Sequence, residues 1–276
     1  MRKIGLIALD LDGTLLNSDK ELSDENREAL KRAAEAGIEI VPATGRFYQG
    51  MPEAIRSLPF VHYVISVNGA EVYDVGKGTA LCRAEIPWEQ GVSAMEYLDT
   101  LPVIYDCYQN GWGWMTKSHY DLAEDYAVSD HHLAMIRNLR TPVRDLKELL
   151  RARKEGIQKI QFLFRDADLR RELLSALPEK FPNFAVTTSI PNNIELNSPE
   201  ATKGHAIKSL AKCLRIPVSR TMAFGDDLND MSMLKTAGIG VAMGNAKEEV
   251  KKAADFVTED CDSDGVAKAL RQLLHL

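Results

Sequence analysis

Residues 3–14 read KIGLIALDLDGT: an apolar run from Ile4 to Leu9 stops at two aspartates, Asp10 and Asp12, followed by Gly13 and Thr14. A short run that is apolar on both faces reads as a central strand of a parallel sheet. In open α/β sheets ligands bind beyond the carboxyl ends of the strands, which is where these acids stand. Two carboxylates at that spacing repel each other unless a cation or a proton intervenes. Gly13 permits a tight turn, and Thr14 offers a hydroxyl and an amide to an anion. The plainer alternative is an aspartate-rich turn after a strand.

Working outward, Ser23 can cap a helix running to about Ala36, with Asp24 and Glu25 in its favourable first turn and Gly37 ending it. IEIVPATGR (38–46) follows as a second strand, completing a right-handed β–α–β unit. The C-terminal third repeats the alternation. Helices are predicted over Lys203–Arg215, Asp227–Ala237, about Ala246–Ala253 and Gly265–Leu274, with strands TMAFG (221–225), GIGVAM (238–243) and FVT (256–258). Between about Arg83 and Ser189 the pattern changes to α+β. Amphipathic helices are predicted near 88–100, 119–137 and 168–177, strands at KIQFLF (159–164) and FAVTT (184–188), and a hairpin at QNGWGWMT (109–116). The fold class is therefore α/β: a Rossmann-like parallel sheet core with helices on both faces, built from 1–82 and 190–276, plus an inserted α+β domain over 83–189. Hinges are expected near 80–85 and 188–194.

Composition bounds the partners. Lys plus Arg is 34 against 40 Asp plus Glu, a net charge of −6, which argues against nucleic acid or an anionic membrane as the main partner. No apolar run reaches the roughly eighteen residues of a membrane span. The apolar start is short and interrupted by two aspartates, unlike a secretory leader, so the chain reads as cytoplasmic. The four cysteines form no CxxC pair and read as reduced, packed thiols.

Three further stretches sit at strand exits or helix starts. Gly225-Asp226-Asp227-Leu228-Asn229-Asp230 follows the TMAFG strand, and a helix beginning there projects Asp226 and Asp230 from one side. Helix capping accounts for one or two of these acids, less well for three acids and an asparagine. Asp10, Asp12, Asp226 and Asp230 together call for a hard divalent cation, and an all-oxygen donor set favours Mg²⁺ over zinc. Thr44-Gly45-Arg46 ends the second strand with a hydroxyl and amides that can hold an oxyanion. Lys203-Gly204 opens a helix whose amides and dipole favour anions.

Asp-Leu-Asp-Gly-Thr, Thr-Gly-Arg, Lys-Gly and Gly-Asp-Asp-Leu-Asn-Asp, in this order, resemble the four motifs of the haloacid dehalogenase-like hydrolase superfamily. The large α+β insertion between the second and third motifs resembles the C2-type cap of the Cof-type phosphatases, subfamily IIB. The similarity spans essentially the whole chain. It implies aspartyl-phosphate chemistry on a small phosphate ester: Asp10 attacks phosphorus, Asp12 serves as general acid and then general base, and Lys203 neutralises charge and restrains Asp10. It implies Mg²⁺ held by Asp10, the backbone carbonyl of Asp12 and Asp226, with Asp230 assisting through water or hydrogen bonds to the ligands. Thr14, Thr44, Gly45, Arg46, Asn68 (in ISVNGAEV) and Asn229 fall at phosphate- or substrate-proximal positions. Asn68-Gly69 is equally a hairpin-turn dipeptide, and Asp227 reads as solvent-facing. The cap residues His131, His132, Tyr105, Tyr108, Trp112 and Trp114 read as solvated or packed side chains. A monomer or homodimer is expected.

Two other classes stay open at this level. Phosphotransfer passes the phosphoryl group to a sugar hydroxyl and releases little phosphate. A phospho-receiver or ligand-binding protein shows no turnover, although a receiver needs only about half this chain and lacks the second aspartate.

Overall fold

The computed structural model describes residues 3–275. The chain divides into two compact units, one comprising Met1–Arg83 and Ala201–Leu276, the other Ala84–Glu200.

The first unit is built on a five-stranded parallel sheet. Its order is Phe256–Val257, Ile239–Ala242, Thr221–Gly225, Leu6–Leu9 and Glu39–Pro42. Leu6–Leu9 lies between two neighbours, and all four of its residues are buried, which is why its sequence is a continuous apolar run. Ser23 caps the helix Asp24–Glu35, its Oγ accepting from the Asn26 amide at 3.1 Å. That helix packs with Gly265–Leu274, and Lys203–Cys213 packs with Met231–Thr236. The inward side chains form one apolar core. A three-stranded antiparallel sheet, Tyr63–Ser66, Glu71–Asp74 and Thr79–Arg83, joins through a parallel bridge between Ala43 and Ile65.

The second unit carries a six-stranded sheet ordered Ala185–Thr187, Asn193–Asn197, Lys159–Leu163, Ile104–Gln109, Trp112–Thr116 and Arg140–Val143. All pairings are antiparallel except the last. On one face Tyr105, Cys107, Ile160, Phe162, Ile194 and Leu196 pack with the helices Trp88–Leu98, Leu146–Arg153 and Ala167–Lys180. The alternate residues make a polar row: Asp106 stands beside Gln161, Gln161 beside Glu195, and Glu195 beside Thr187. Arg140 Nε donates to Asp106 Oδ2 at 2.9 Å, and Lys159 Nζ to Glu195 Oε1 at 2.9 Å, all four groups being buried.

Three expectations change. The predicted helix over 119–137 is three short ones, Lys117–Asp121, Ala123–Tyr126 and Asp130–Leu139. Ser129 restarts the last by accepting from the His132 amide at 3.1 Å. The predicted helix over 227–237 is a single turn, Leu228–Asp230, followed by Met231–Thr236. The second boundary falls after Glu200, because Asn193–Asn197 pairs with Lys159–Leu163 and Ala185–Thr187. Residues 188–192 are therefore a hairpin loop within the second unit.

All three tryptophans, Trp88, Trp112 and Trp114, lie in the second unit, so their fluorescence reports its unfolding. Removing one member of a buried ion pair leaves the other charge unpaired and costs about 3–5 kcal/mol. Asp106→Ala is expected to lower the urea midpoint of that signal accordingly, while Asp106→Leu combined with Arg140→Met recovers most of the loss. Equal losses in the single and double variants would contradict this reading of the pair.

Candidate active site

Three strand exits of the first unit converge. Asp10 follows Leu9 and stays in register, its amide donating to Phe224 O at 3.0 Å. Thr44–Arg46 follows Glu39–Pro42 on one side, and Asp226 follows Thr221–Gly225 on the other. The chain turns sharply after Asp10: Thr14 N and Leu16 N both donate to Leu11 O, and Leu15 N donates to Asp10 O. Gly13 has φ +85, and a Cβ there would stand 2.5 Å from Asp226 Oδ2, so both the turn and the close approach require glycine.

The centre is Lys203, whose side chain is 0% exposed. Its Nζ donates to Asp10 Oδ1 at 2.5 Å and to Asp230 Oδ1 at 2.7 Å. The other Asp230 oxygen accepts from the amides of Asp226 (3.0 Å) and Asp227 (3.1 Å). Thr14 Oγ1 donates to Asp226 Oδ1 at 3.0 Å. The expectation that Asp226 and Asp230 project from one helix is corrected. Asp226 lies in the strand exit, and Asp230 reaches it by folding back onto the amides of the intervening turn.

Three carboxylates around one ammonium leave an excess of negative charge. Burial, with Asp230 and Asp226 nearby, raises Asp10 to about 7 despite Lys203. Burial, with Asp230 and Asp227, raises Asp226 to about 6 despite the Thr14 hydroxyl. Burial lowers Lys203, but Asp10 and Asp230 outweigh it and hold the ammonium well above its ordinary value. Asp10, Asp226 and Asp230 each offer an oxygen within 4.8 Å of the others. Such an all-oxygen set suits a hard divalent cation. Both oxygens of Asp230 are already engaged, so Asp10 and Asp226 are the side chains best free to hold one.

The remaining predicted residues fall around this centre. Thr44 is buried; its amide donates to Ile65 O and its Oγ1 accepts from the Arg46 amide at 3.2 Å. Asn68 sits against Gly45, and its Oδ1 accepts from Asn229 Nδ2 at 3.1 Å. Arg46, expected near the phosphate, pairs its guanidinium with the Asp12 carboxylate, with Nη2 at 3.1 and 3.0 Å from the two oxygens and Nε at 3.3 Å. Burial raises Asp12, but Arg46 and Lys20 prevail and hold it below the usual carboxylate range. Asp227, half-buried, caps the turn and pairs with Lys247.

Two supporting residues escaped the sequence reading. Lys20 Nζ lies 3.1 Å from Asp12 Oδ1, on a loop with no motif to flag it. Asn245 Nδ2 donates to Gly13 O at 2.8 Å, and its Oδ1 accepts from the Cys261 amide. Asn245 follows another parallel strand, so the same strand-exit rule could have found it. In the second unit Tyr105 donates to Asp99, Trp112 to Thr141 and Trp114 to Gln109 O, while Arg140 and Lys159 each place a cation 4.6 Å from the centre of the Tyr108 ring. His131 is exposed and His132 half-buried.

A family model described as haloacid dehalogenase-like hydrolase matches residues 7–270. The chain is 32% identical to the 5-amino-6-(5-phospho-D-ribitylamino)uracil phosphatase YcsE of Bacillus subtilis, over 97% of this chain and 95% of that protein. It is 35% identical to the phosphatase YwpJ of the same organism, over 98% and 99%. The solved structure of a haloacid dehalogenase-like hydrolase from Bacteroides thetaiotaomicron superimposes with a TM-score of 0.82 at 31% identity, covering 98% of this chain and 100% of that one. A structure described as a subclass IIB sugar phosphatase, at 23% identity, shares the fold with a TM-score of 0.78 over 99% and 100%.

Asp10 and Asp226 bind protons more tightly folded than unfolded. Folding therefore takes up protons, and stability falls as pH rises from the unfolded value of 3.8 toward about 7 for Asp10 and about 6 for Asp226. In EDTA the melting temperature is expected to be lower at about pH 8 than at about pH 5, and Asp226→Asn narrows the gap. A melting temperature that climbs across this window would contradict the charge crowding.

Proposed function

The chain belongs to the haloacid dehalogenase-like hydrolases, and from this membership and the geometry of its acidic strand exits we propose that it is a Mg²⁺-dependent phosphatase of small phosphomonoesters acting through a phosphorylated Asp10. The observation that carries the reading is the contact of buried Lys203 with Asp10 Oδ1. With Oδ1 fixed on an ammonium and assigned to the metal side as well, Oδ2 is the oxygen available to attack phosphorus. A carboxylate is a weak nucleophile, so the transferring group needs its charge neutralised and its position fixed. Lys203 contributes a cation, and Thr44, the Gly45 amide, Asn68 and Asn229 contribute neutral hydrogen-bonding groups around the strand exits. Asp10, Asp226 and the Asp12 backbone carbonyl are the proposed metal ligands, with Asp230 orienting the loop that carries Asp226. Held there, Mg²⁺ would add to the charge neutralisation that Lys203 provides.

Asp12 is the proposed proton carrier. It gives a proton to the leaving alkoxide, and its carboxylate then takes one from the water that cleaves the Asp10–phosphate bond. Paired with Arg46 and Lys20 it is ionised, the form suited to the second step. Its service in the first step requires release from those cations. Residues 84–200 are read as the inserted cap domain of subclass IIB. Among candidate esters, 5-amino-6-(5-phospho-D-ribitylamino)uracil comes first, because it appears in the name of a relative aligned over nearly the whole chain.

Phosphate release is to be measured on that compound, sugar phosphates, nucleotides, pyridoxal phosphate and flavin mononucleotide. Asp10→Asn is expected to abolish turnover, and Asp12→Asn to lower kcat by about 10²–10⁴ with the fold intact. Near-wild-type release by purified Asp10→Asn would refute the nucleophile assignment. Separately, EDTA is expected to stop turnover and excess Mg²⁺ to restore it, whereas activity indifferent to chelation would remove the metal from the account.

A further inference from the structure

Three consecutive residues between the strands Tyr63–Ser66 and Glu71–Asp74 have left-handed backbones: Val67 at φ +48, Asn68 at +55 and Gly69 at +103. Asparagine and glycine accept this region readily; a β-branched residue does not. Such a conformation is strained and persists only where its surroundings over-determine it. The surroundings of this turn are identifiable. The Val67 amide donates to Arg46 O at 3.0 Å, and the Asn68 amide donates to Thr44 O at 2.9 Å. The Val67 side chain is wholly buried. A Cβ on Gly69 would stand 2.2 Å from the carbonyl oxygen of Thr202, the residue that caps the helix beginning at Lys203.

The turn is thus fastened to the Thr44–Arg46 loop by two backbone bonds and pressed against the start of the Lys203 helix. Its tip presents one side chain, Asn68, whose carboxamide lies against Gly45 and bonds Asn229. One residue reaches the loops after two strands of the parallel sheet, and its own turn touches the entry to the lysine helix. A four-residue hairpin connection has easier sequences available than one with valine at the first left-handed position.

We propose that Val67 is a positioning residue: its buried side chain and enforced left-handed backbone aim the Asn68 carboxamide at the Gly45 loop and Asn229. The proposal rests on the reading of these loops as the phosphate cradle only for its kinetic consequence. The placement of Asn68 can be tested without it. Valine is stiff at χ1 and anchored, whereas glycine removes the anchor and frees the backbone. Val67→Gly therefore relieves strain and loses buried surface together, two opposing effects on stability, while the aim of Asn68 is lost.

The experiment has two arms on the full chain. In the first, ¹⁵N relaxation of the Asn68 side-chain amide is measured in wild type and Val67→Gly. The amide is expected to be ordered in wild type and mobile in the variant, and an unchanged order would overturn the proposal whatever the protein's activity. In the second, kcat and KM are measured across the cycle Val67→Gly, Asn68→Ala and the double variant. Misplacement of an aimed group lowers kcat by roughly 10- to 100-fold with little change in KM. The same Val67→Gly change is expected to cost less than about twofold in the Asn68→Ala background, because its effect passes through Asn68. An equal fold-loss in both backgrounds marks Val67 as merely structural. Failure of the phosphatase reading shows itself differently, as wild-type phosphate release insensitive to Asp10→Asn. Should Val67→Gly not fold, Val67→Ala is measured in its place, with the same outcomes deciding.

Discussion

A single buried ammonium holds this site together. Lys203 Nζ, wholly removed from solvent, joins Asp10 at the end of the central strand to Asp230 in the loop after its neighbour. An unpaired lysine or aspartate in that position would be strongly penalised, and removal of one partner of a buried pair strands the other. The contact therefore fixes the relative placement of the strand Leu6–Leu9, the helix Lys203–Cys213 and the turn Leu228–Asp230. Asp230 extends the constraint, because its second oxygen takes the amides of Asp226 and Asp227 and sets where Asp226 stands.

The same contact leaves a deliberate imbalance. One cation faces Asp10, Asp226 and Asp230, and the raised values of Asp10 and Asp226 show that the surplus charge is unwelcome in a buried place. A hard cation would relieve that crowding and a phosphoryl group would balance the cation, so the charge arrangement fits the proposed ligands. Asp12, two residues on, lives in the opposite environment: it is half-exposed, faces two cations and is held ionised. Two aspartates of one tripeptide are thereby driven apart in character, and the proposed roles call for both to shift when ligands bind: Asp10 must be ionised to attack, and Asp12 must leave its cations to carry a proton.

Much of this was legible in the sequence. The buried strand at 6–9, the strand Thr221–Gly225 and the helix Gly265–Leu274 are strong local patterns, and the strand-exit rule pointed to the loops that carry Asp10, Thr44–Arg46 and Asp226, though not to Lys20 or Asn245. The rest depended on contacts that no local pattern encodes. Arg46 lies in a phosphate-cradle motif, yet its guanidinium is drawn to Asp12, a pairing across 34 residues. Asp226 and Asp230 meet through backbone amides of a turn that breaks the predicted helix. Asn193–Asn197 belongs to the second unit because its pairing partners lie there. The valine at 67 is ordinary by composition, and only its backbone angle reveals the constraint.

The central claim is that the phosphoryl group passes onto Asp10. The most direct measurement is to quench a steady-state reaction with acid, reduce the denatured protein with tritiated borohydride and map the label by peptide sequencing. An acyl phosphate is reduced to an alcohol, so the account predicts tritium at position 10 alone, dependent on substrate. Label at another carboxylate, or none while phosphate is being released, would contradict it.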